Sequence, residues 1–356
     1  MKKILLTGGG TAGHVTPNIA LIPSLKELNY EIKYIGSYDG IEKKLIEELG
    51  IPYKGISSGK FRRYMSLKNF SDPFRVLKGY REAKKFIKEY KPDVLFSKGG
   101  FVSVPVVFAC KKYKVPIIIH ESDMTPGLAN KLSIRHAKTV CHNFPETKNY
   151  LPEGKSLLTG SPIRAELMSG DKEAGLRFCG FDNSKPVIMV TGGSLGALAL
   201  NKAVRNALPE LLKDFQIVHL CGKGKIDESL KNTPSYVQFE YIKDEMKDLF
   251  AMAEIIISRA GANAICEIQA LCKPNILVPL PASASRGDQI LNAGSFENQG
   301  FSRVMAEEDI TTKKLIDIIH EVYNDRQKYI DAMTNAKTSD AVSTIIELIK
   351  KTVNSK

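Results

Sequence analysis

The sequence predicts an α/β protein with two Rossmann-like domains, each built on a parallel sheet. Residues 7–17, TGGGTAGHVTP, directly follow the apolar run ILL at 4–6. A short strand, a glycine turn and a helix start are the way in which an α/β domain presents backbone amides to a phosphate. The same arrangement returns at residues 186–197, PVIMVTGGSLGA. Two such starts predict two nucleotide-type folds that face each other across a cleft.

Length and composition agree with two domains. The chain has 356 residues, of which 43% are hydrophobic and 25% charged, as in an ordinary globular protein. The predicted domains are 1–161 and 162–339, with the GSP sequence at 160–162 as the hinge. No strand signal follows the last helix, within 340–356, and we expect that helix to cross back onto the first domain.

Short apolar runs that alternate with helical stretches predict βαβ units and mostly parallel sheets. The predicted strands of the first half are 3–7, 32–36, 94–97, 116–120, 139–144 and 157–160, with helices at 41–49, 75–90 and 128–136. The predicted strands of the second half are 187–191, 216–221, 237–241, 255–258, 275–279 and 303–306.

The cysteines and the apolar runs indicate the cellular compartment in which the protein is found. Six scattered cysteines form no C-x-x-C pair, and several lie inside apolar runs, which predicts buried free thiols in a reducing cytosol. The first strand is predicted to begin at residue 3, which leaves no room for a signal peptide. No apolar run reaches transmembrane length. We therefore expect a soluble protein made for the cytoplasm.

The positive charge is confined to one half of the chain. Residues 1–160 contain 27 Lys and Arg against 14 Asp and Glu, a net charge of +13. Residues 161–356 contain 24 against 25, a net charge of −1. This asymmetry predicts a polyanionic partner for the first half, either a nucleic acid or an anionic membrane surface.

The first glycine loop carries a histidine. Its GGGTAG sequence at 8–13 satisfies G-x-G-x-x-G, which alone favours a nicotinamide or flavin enzyme. A dinucleotide site requires an acidic residue at the end of strand 2. The match here is poor, because Asp39 lies two residues beyond Ser37. His14 follows the last glycine directly, and an imidazole at that place suits a general base. A capping or core histidine is the alternative.

A second element, IIISRAGANAICE at 255–267, predicts a strand, a small-residue turn and a helix. Small residues at 260–264 let a ligand lie on the helix N-terminus, where amides and dipole suit a diphosphate. Glu267, further along the helix, is placed to accept both hydroxyls of a ribose, although a solvated helix residue is the alternative. Gln289 opens the next helix and is a candidate for binding a sugar hydroxyl.

Several motifs together resemble one family. They are GGGTAGHVTPNIA from Gly8, HESDMTPGLANK from His120, GSPIR from Gly160, GGSLGA from Gly192, SRAGA from Ser258 and Q-x-x-N-A from Gln289. In order and spacing they are similar to the undecaprenyl-diphospho-muramoylpentapeptide β-N-acetylglucosaminyltransferases, which complete lipid II at the membrane. The resemblance spans nearly the whole chain, and the family has the two-domain GT-B fold.

The resemblance implies inverting transfer of GlcNAc from UDP-GlcNAc to the C4 hydroxyl of MurNAc in lipid I. It implies a peripheral protein on the cytoplasmic face of the cell membrane. The implied donor contacts are Thr11, Ala12, Gly13, Asn130, Arg164, Ser194, Ile242, Ala262, Asn263, Ala264, Ile265, Cys266, Glu267 and Gln289. His14 is the first candidate for the catalytic base and Glu121 the second. Ala12, Leu195 and the Ser122-Asp123 pair depart from the family's usual residues, which puts the individual contacts there in question.

Neither a metal nor another cofactor is expected. No two aspartates are separated by one residue, so the D-x-D metal clamp of many sugar-nucleotide enzymes is missing. Helix N-termini and backbone amides can stabilise the departing UDP instead.

A lipid acceptor in an anionic membrane accounts for the positive charge of the first half of the chain. Residues 60–91 contain eleven Lys and Arg against three Asp and Glu. Between them lie the apolar residues Phe61, Tyr64, Met65, Leu67, Phe70, Phe74, Leu77, Phe86 and Ile87. This pattern is typical of peripheral binding to anionic lipid, and an ordinary helix packed on its sheet is the alternative.

Two further classes compete with a glycosyltransferase. A sugar-nucleotide 2-epimerase of the same fold is the nearest enzymatic alternative, and a nicotinamide-dependent oxidoreductase rests on the first glycine loop alone. We expect no nucleic-acid partner, because no recognition motif is present and the second glycine loop would have no role.

Overall fold

Two parallel sheets organise the chain, which the computed structural model describes over residues 1–59, 68–193, 196–336 and 340–355. Contacts between residues divide it into two units. The first unit contains Met1–Arg164 and the C-terminal helix, and the second begins at Ala165. The predicted α/β class with two parallel sheets is therefore confirmed.

The first unit is a seven-stranded sheet covered by helices. Its strands are β1 (Lys3–Thr7), β2 (Glu31–Ser37), β3 (Tyr53–Ile56), β4 (Val94–Ser97), β5 (Ile117–Glu121), β6 (Thr139–His142) and β7 (Ser156–Leu158). Its first helices are α1 (Thr16–Glu27), α2 (Ile41–Glu47), α3 (Lys68–Tyr90), α4 (Ser103–Lys112) and α5 (Leu128–Ser133). All neighbouring strands pair in parallel, in the order β3-β2-β1-β4-β5-β6-β7.

The central strands of this sheet are apolar on both faces because helices cover both. Ile4 and Leu6 of β1 enter the core cluster on one face, while Leu5 enters the cluster on the other. Successive side chains of a strand point to opposite faces, so a run of apolar residues is what a doubly covered strand requires.

The second unit repeats the architecture with six strands. They are β8 (Val187–Thr191), β9 (Gln216–Leu220), β10 (Tyr236–Phe239), β11 (Ala253–Ser258), β12 (Asn275–Leu277) and β13 (Arg303–Val304). The helices are α6 (Lys172–Cys179), α7 (Leu198–Asp214), α8 (Met246–Met252), α9 (Ala262–Ala270), α10 (Asp288–Asn298), α11 (Thr312–Asn324) and α12 (Arg326–Asn335). The strands pair in parallel in the order β10-β9-β8-β11-β12-β13.

The C-terminal helix, α13 (Ala341–Asn354), belongs to the core of the first unit. Ile345, Ile346 and Ile349 lie in the same buried cluster as Ile4 and Leu6 of β1. Apolar side chains that recur at the spacing of a helical turn form the stripe by which an amphipathic helix covers a sheet. No helix in the described ranges is long and apolar enough to cross a membrane.

The structure adds one strand that the sequence pattern did not indicate. Residues 53–56, YKGI, form β3 at the edge of the first sheet beside β2. A four-residue run that contains lysine and glycine gives little strand signal, and only Ile56 is fully buried. The other predicted strands are present, with ends that differ by up to two residues.

Candidate functional site

Each sheet has a point at which the strand order reverses, and both glycine loops and the segment before α9 start at these points. In the first sheet β1 and β4 are neighbours, and in the second β8 and β11 are neighbours. Open α/β sheets bind ligands outside the carboxyl ends of the strands at such a topological switch point. Both glycine loops start here, since they follow β1 and β8, and the 259–267 segment follows β11.

The first glycine loop is closely packed against the loop that follows β4. A Cβ on Gly8 would overlap the carbonyl oxygen of His14, and a Cβ on Gly100 would overlap that of Gly9. Glycine is therefore required where these backbones meet. Residues Ala12–His14 then form one turn of 3₁₀ helix before α1 begins. Ala12 is not among the residues with positive φ, so its backbone tolerates the methyl group that replaces the family's glycine.

His14 lies at the end of this turn, half-buried. Its Nδ1 is 3.0 Å from Oγ1 of Thr11, which fixes the orientation of the ring. The amide of His14 also donates to the carbonyl of Thr11 over 3.1 Å. The side chain and the backbone of His14 are thus both held by the first residue after the three glycines.

Glu42, on α2, is a residue of this site that the sequence reasoning missed. Its side chain is fully buried, and Oε2 accepts a hydrogen bond of 3.2 Å from the amide of Gly10. Oε1 accepts bonds from the amide and the hydroxyl of Ser37, at 2.9 and 2.5 Å. A carboxylate of this chain therefore already bonds the loop where a dinucleotide's phosphate would approach, which argues against the oxidoreductase alternative.

Glu121, the second candidate base, is buried and holds the loop after β5. Its carboxylate accepts hydrogen bonds from the amides of Asp123 and Gly127 at 3.1 and 3.0 Å, and from Nδ2 of Asn130 at 2.8 Å. Burial, followed by the Asp123 carboxylate, raises the pKa of Glu121, and these hydrogen bonds oppose the shift. The arrangement is that of a group that orders a loop.

Lys98 follows β4 and is almost completely buried, with its ammonium 2.6 Å from Nδ1 of His120 and also bonded to Ser122. His120 bonds the carbonyl of Gly160 through Nε2 at 2.9 Å. An ammonium can only donate, so Nδ1 is the acceptor and Nε2 carries the proton. Burial, and then the Lys98 charge, hold the pKa of His120 well below its ordinary value. The only sequence signal for Lys98 was its place between an apolar strand and two glycines.

The sequence predicts an anion site in the second unit at the N-terminus of α9. Gly261 is its N-cap and supplies no capping side chain. Within the described residues, nothing lies within 4 Å of the position that a Cβ on Gly261 would occupy. The first amides of a helix have no intrahelical acceptor, and the dipole adds positive potential there. Of the residues that follow, Asn263 and Ala264 are half-buried and Ala262 is buried.

Glu267 lies in the second turn of α9 and is half-buried, while the side chains of Ile265 and Cys266 are buried. A contact of Ile265 or Cys266 with a donor would therefore go through the backbone. The structure places Ile242 after β10, with its side chain buried.

Arg259 joins the turn before α9 to the loop after β12. Its guanidinium donates to the carbonyls of Val278 and Pro279, at 3.1 and 3.3 Å, and pairs with the carboxylate of Glu307. The side chain is buried, and a planar guanidinium with several donors suits such a junction. In the sequence Arg259 is marked only by its place in the SRAGA motif.

Gln289 is held by the same loop. Oε1 of Gln289 accepts a hydrogen bond of 3.1 Å from the backbone amide of Leu280. The other end of the side chain is therefore the Nε2 group, which can donate. Asn292, one turn later on α10, donates to the carbonyl of Ala260 at 3.3 Å. Helix α10 and the turn before α9 are thereby bonded to each other beside the predicted donor site.

The predicted donor contacts are divided between the two units. Thr11, Ala12, Gly13, Asn130 and Arg164 belong to the first unit. The second unit contains Ile242, Ala262, Asn263, Ala264, Ile265, Cys266, Glu267 and Gln289. Ser194 and Leu195, in the second glycine loop, lie outside the described residues. Together β8 and β11 bring the described part of that loop, Gly192 and Gly193, beside the turn before α9.

Part of the basic stretch at 60–91 also lies outside the described residues, namely 60–67 and the side chains of 68–71. Within α3, Ile87 is buried and Phe86 packs against the core, so these two residues do not face a lipid. Phe74 and Leu77 have 75% and 46% of their surface exposed. The apolar residues of this helix therefore divide into a core face and an exposed N-terminal part.

Comparison with known families agrees with both halves of the chain. The glycosyltransferase family 28 N-terminal domain matches residues 4–142, and the family 28 C-terminal domain matches residues 187–349. Two curated relatives are named UDP-N-acetylglucosamine–N-acetylmuramyl-(pentapeptide) pyrophosphoryl-undecaprenol N-acetylglucosamine transferase. The relative from Lachnospira eligens is 65% identical and covers 98% of this chain and 99% of its own. The relative from Clostridium tetani is 57% identical and covers 98% of both.

Solved structures share this fold. The crystal structure of Acinetobacter baumannii MurG is 26% identical, with a TM-score of 0.77 over 99% of this chain and 100% of its own. A UDP-GlcNAc 2-epimerase from Neisseria meningitidis bound to UDP-GlcNAc has a TM-score of 0.71 over 99% and 100% of the two chains. At 14% identity that likeness shows the shared fold alone. The chain is therefore a glycosyltransferase of family 28 with the GT-B fold, and it belongs to the undecaprenyl-diphospho-muramoylpentapeptide β-N-acetylglucosaminyltransferases.

Proposed function

We propose that this protein transfers GlcNAc from UDP-GlcNAc to the C4 hydroxyl of MurNAc in undecaprenyl-diphospho-MurNAc-pentapeptide, lipid I, and so forms lipid II. The observation that carries the proposal is the glycine-capped N-terminus of α9, which lies at the switch point between β8 and β11. This is a site for the diphosphate of a sugar nucleotide. The family relationship supplies the identity of donor and acceptor.

The donor is held mainly by the second unit. The amides at 262–264 bind the diphosphate, and Glu267, in the second turn of α9, accepts the ribose hydroxyls. The Nε2 group of Gln289 donates to a sugar hydroxyl, because its carbonyl oxygen is already engaged by Leu280. The family resemblance adds Asn130 and Arg164 of the first unit and Ser194 of the second to the proposed donor contacts.

His14 is the base in this proposal. In the tautomer whose Nδ1 donates to Oγ1 of Thr11, Nε2 carries the lone pair, and it accepts the proton of the C4 hydroxyl. The C4 oxygen then attacks the anomeric carbon from the face opposite the UDP. The bond between that carbon and the diphosphate oxygen breaks, and UDP leaves with the electron pair. The configuration at the anomeric carbon is inverted in this single displacement.

Glu121 is the less favoured base because its carboxylate is 5% exposed and accepts three hydrogen bonds from its own loop. Its role here is to order the segment that carries Asn130. The developing charge on UDP is stabilised by backbone amides and the α9 dipole in this mechanism, which has no metal or cofactor.

A membrane-facing side of the first unit is part of the proposal. The exposed residues Phe74 and Leu77 on α3 have basic neighbours at Arg75, Lys78 and Arg81, which are exposed as well. Apolar side chains ringed by cations are how a peripheral protein binds anionic lipid. The protein would then act on the cytoplasmic face of the membrane, where its lipid acceptor is held.

Leu128 and Leu132 extend this side of the unit. They lie one turn apart on α5 and are 45% and 41% exposed. Helix α5 packs beside α4, and α4 packs beside α3, so the three helices form one layer on the sheet. The exposed cations Lys131 and Arg135, on α5 and just after it, belong to the same layer.

The test is incubation of the purified protein with UDP-GlcNAc and lipid I in detergent, with separation of lipids and nucleotides. Formation of lipid II with stoichiometric UDP, undiminished by EDTA, is the expected result. Formation of UDP-ManNAc without lipid II would identify a 2-epimerase instead. Loss of transfer in EDTA with rescue by Mg²⁺ would overturn the metal-free mechanism.

A further inference from the structure

We infer that Glu42 is a positioning residue of the transfer reaction, because its buried carboxylate fixes the loop that places His14. The inference rests on the proposed function of His14. Glu42 touches neither donor nor acceptor in this scheme and acts through the backbone of the first glycine loop.

The first observation is the enclosure of the carboxylate. The side chain of Glu42 has no exposed surface. A Cβ added to Gly9 or to Gly40 would overlap its carboxylate, and a Cβ on Gly36 would lie 2.8 Å from its Cγ. Three glycines from three segments therefore make room for one acidic side chain. Burial of a carboxylate is costly unless hydrogen bonds compensate, so this space is built for the group that fills it.

The second observation is that the two carboxylate oxygens of Glu42 bond different segments of the chain. Oε1 bonds Ser37 of β2, through its amide and its hydroxyl. Oε2 bonds the amide of Gly10, in the loop. Glu42 thus joins the end of a rigid strand to the middle of the glycine loop, and hydrogen bonds to a charged acceptor are stronger than neutral ones.

The third observation is the path from Gly10 to His14. Gly10 has a φ of +89°, which is the left-handed region that glycine favours. The next residue is Thr11, whose Oγ1 is bonded to Nδ1 of His14 and whose carbonyl accepts the amide of His14. The position of the imidazole is therefore set by Thr11, and that of Thr11 by the anchored amide of Gly10.

Glu42→Gln is the selective variant. An amide has one oxygen, and two donors of Ser37 face the Oε1 position while one amide faces Oε2. The oxygen of the introduced amide is expected to face Ser37, so that its NH₂ group opposes the amide of Gly10. The loop anchor is then lost while the strand anchor remains. Ser37→Ala is the matched control, since it removes one hydrogen bond from the same carboxylate and leaves the Gly10 bond intact.

The experiment measures three quantities on each full-length variant: the single-turnover rate of transfer, the dissociation constant of UDP-GlcNAc, and the ¹³Cε1 signal of His14. That signal is assigned by its absence in His14→Ala. We expect Glu42→Gln to lower the rate at least tenfold, to keep the dissociation constant within threefold and to shift the His14 signal. Ser37→Ala should stay within twofold of the wild type in rate and leave the signal in place.

Two results would overturn the inference. One is a His14 signal in Glu42→Gln that coincides with that of the wild type. The other is a rate loss in Ser37→Ala equal to that in Glu42→Gln, which would indicate only lost stability. Should Glu42→Gln fail to fold, Glu42→Asp is compared with Ser37→Ala by the same criteria. A normal rate in His14→Ala would refute the proposed base separately, because that variant contains an intact Glu42.

Discussion

The ammonium of Lys98 lies 2.6 Å from Nδ1 of His120, at the carboxyl ends of two adjacent strands. The pair is buried, and Nε2 of His120 donates a hydrogen bond to the carbonyl of Gly160. A buried ammonium next to an imidazole keeps that imidazole neutral, because two positive charges at this distance repel strongly in a medium of low dielectric. His120 is thus held in one charge state and one tautomer.

Removal of this charge should raise the pKa of His120. In Lys98→Met the second cause of the lowered pKa is absent, whereas burial, the first cause, remains. The pKa should therefore move upward without reaching its ordinary value. A pH titration of the ¹³Cε1 histidine signals, with His120→Gln for assignment, measures the shift. An unchanged or lower pKa in Lys98→Met would contradict the electrostatic account.

A buried histidine of the second unit makes stability dependent on pH. Nδ1 and Nε2 of His219 bond Tyr236 and Asn201, at 2.9 and 3.0 Å, and burial is the main cause that lowers its pKa to about 3. Below about pH 6.5 His219 is protonated in the unfolded chain but stays neutral in the folded chain. The unfolding free energy therefore falls as pH falls from about 6.5 towards about 3. The contribution is up to about 1.4 kcal/mol per pH unit.

His219→Gln should lose that contribution, because glutamine keeps a donor and an acceptor but does not titrate. Urea unfolding followed by circular dichroism at about pH 6 and about pH 4 gives the comparison. The unfolding free energy of the variant should fall by less than that of the wild type over this interval. Equal losses in the two proteins would rule out His219 as a source of the pH dependence.

Glu267 should contribute to nucleotide affinity. Glu267→Ala removes the carboxylate that accepts the ribose hydroxyls in the proposed complex, and hydrogen bonds to charged groups are worth about 1.5–3 kcal/mol. UDP should bind roughly 10- to 150-fold more weakly by isothermal titration calorimetry. Glu308→Ala, at an exposed carboxylate of the same unit, is the control. Unchanged UDP affinity in Glu267→Ala would reject the role.

His14→Ala should separate chemistry from donor binding. The proposed contacts to UDP-GlcNAc are made by other residues, so its dissociation constant should stay nearly unchanged, while the chemical step should slow by about 10²–10⁴-fold. Thr11→Val, which removes the hydroxyl at Nδ1 and keeps the imidazole, should give a smaller loss. Single-turnover transfer and donor binding on the same protein measure both effects. Near-normal turnover in His14→Ala would return the base role to Glu121 or to water.

Binding to lipid should depend on the exposed residues Phe74 and Leu77 of α3. Replacing Phe74 and Leu77 together by Ser should weaken binding to anionic vesicles at least tenfold, while Met168→Ser, at an exposed apolar residue of the second unit, should not. Arg81→Glu should weaken binding chiefly at low salt, since each basic residue near the surface adds about 1 kcal/mol. Vesicle sedimentation measures the binding. Equal binding to neutral and anionic vesicles at all salt concentrations would count against this surface.

The accuracy of the sequence-based predictions followed burial. The central strands β1, β4 and β8 have the predicted bounds, because an apolar run that is buried on both faces begins and ends sharply. The edge strand β3 was missed, since a half-exposed run of four residues does not need such a pattern. The first glycine loop and the strand, turn and helix of 255–267 were predicted because local sequence dictates them.

The residues that brace the site were not predictable in this way. Glu42 bonds Gly10 across 32 positions, Lys98 bonds His120 across 22, and Arg259 reaches Glu307 across 48. Local sequence marks Lys98 and Arg259 only by their place beside glycine and in a motif, and it indicates the partner of none of the three. Their roles arise from pairings that exist only after the sheet has brought distant loops together.

The position of α13 has a consequence for biosynthesis. The cluster around Ile4 and Leu6 is completed by Ile345 and Ile349 of α13, which follows the whole second unit in the sequence. The first unit therefore carries an uncovered apolar face during translation of the whole second unit, and that nascent face is exposed to association with other chains. The core of the first unit is complete only after α13 has been synthesised and has docked.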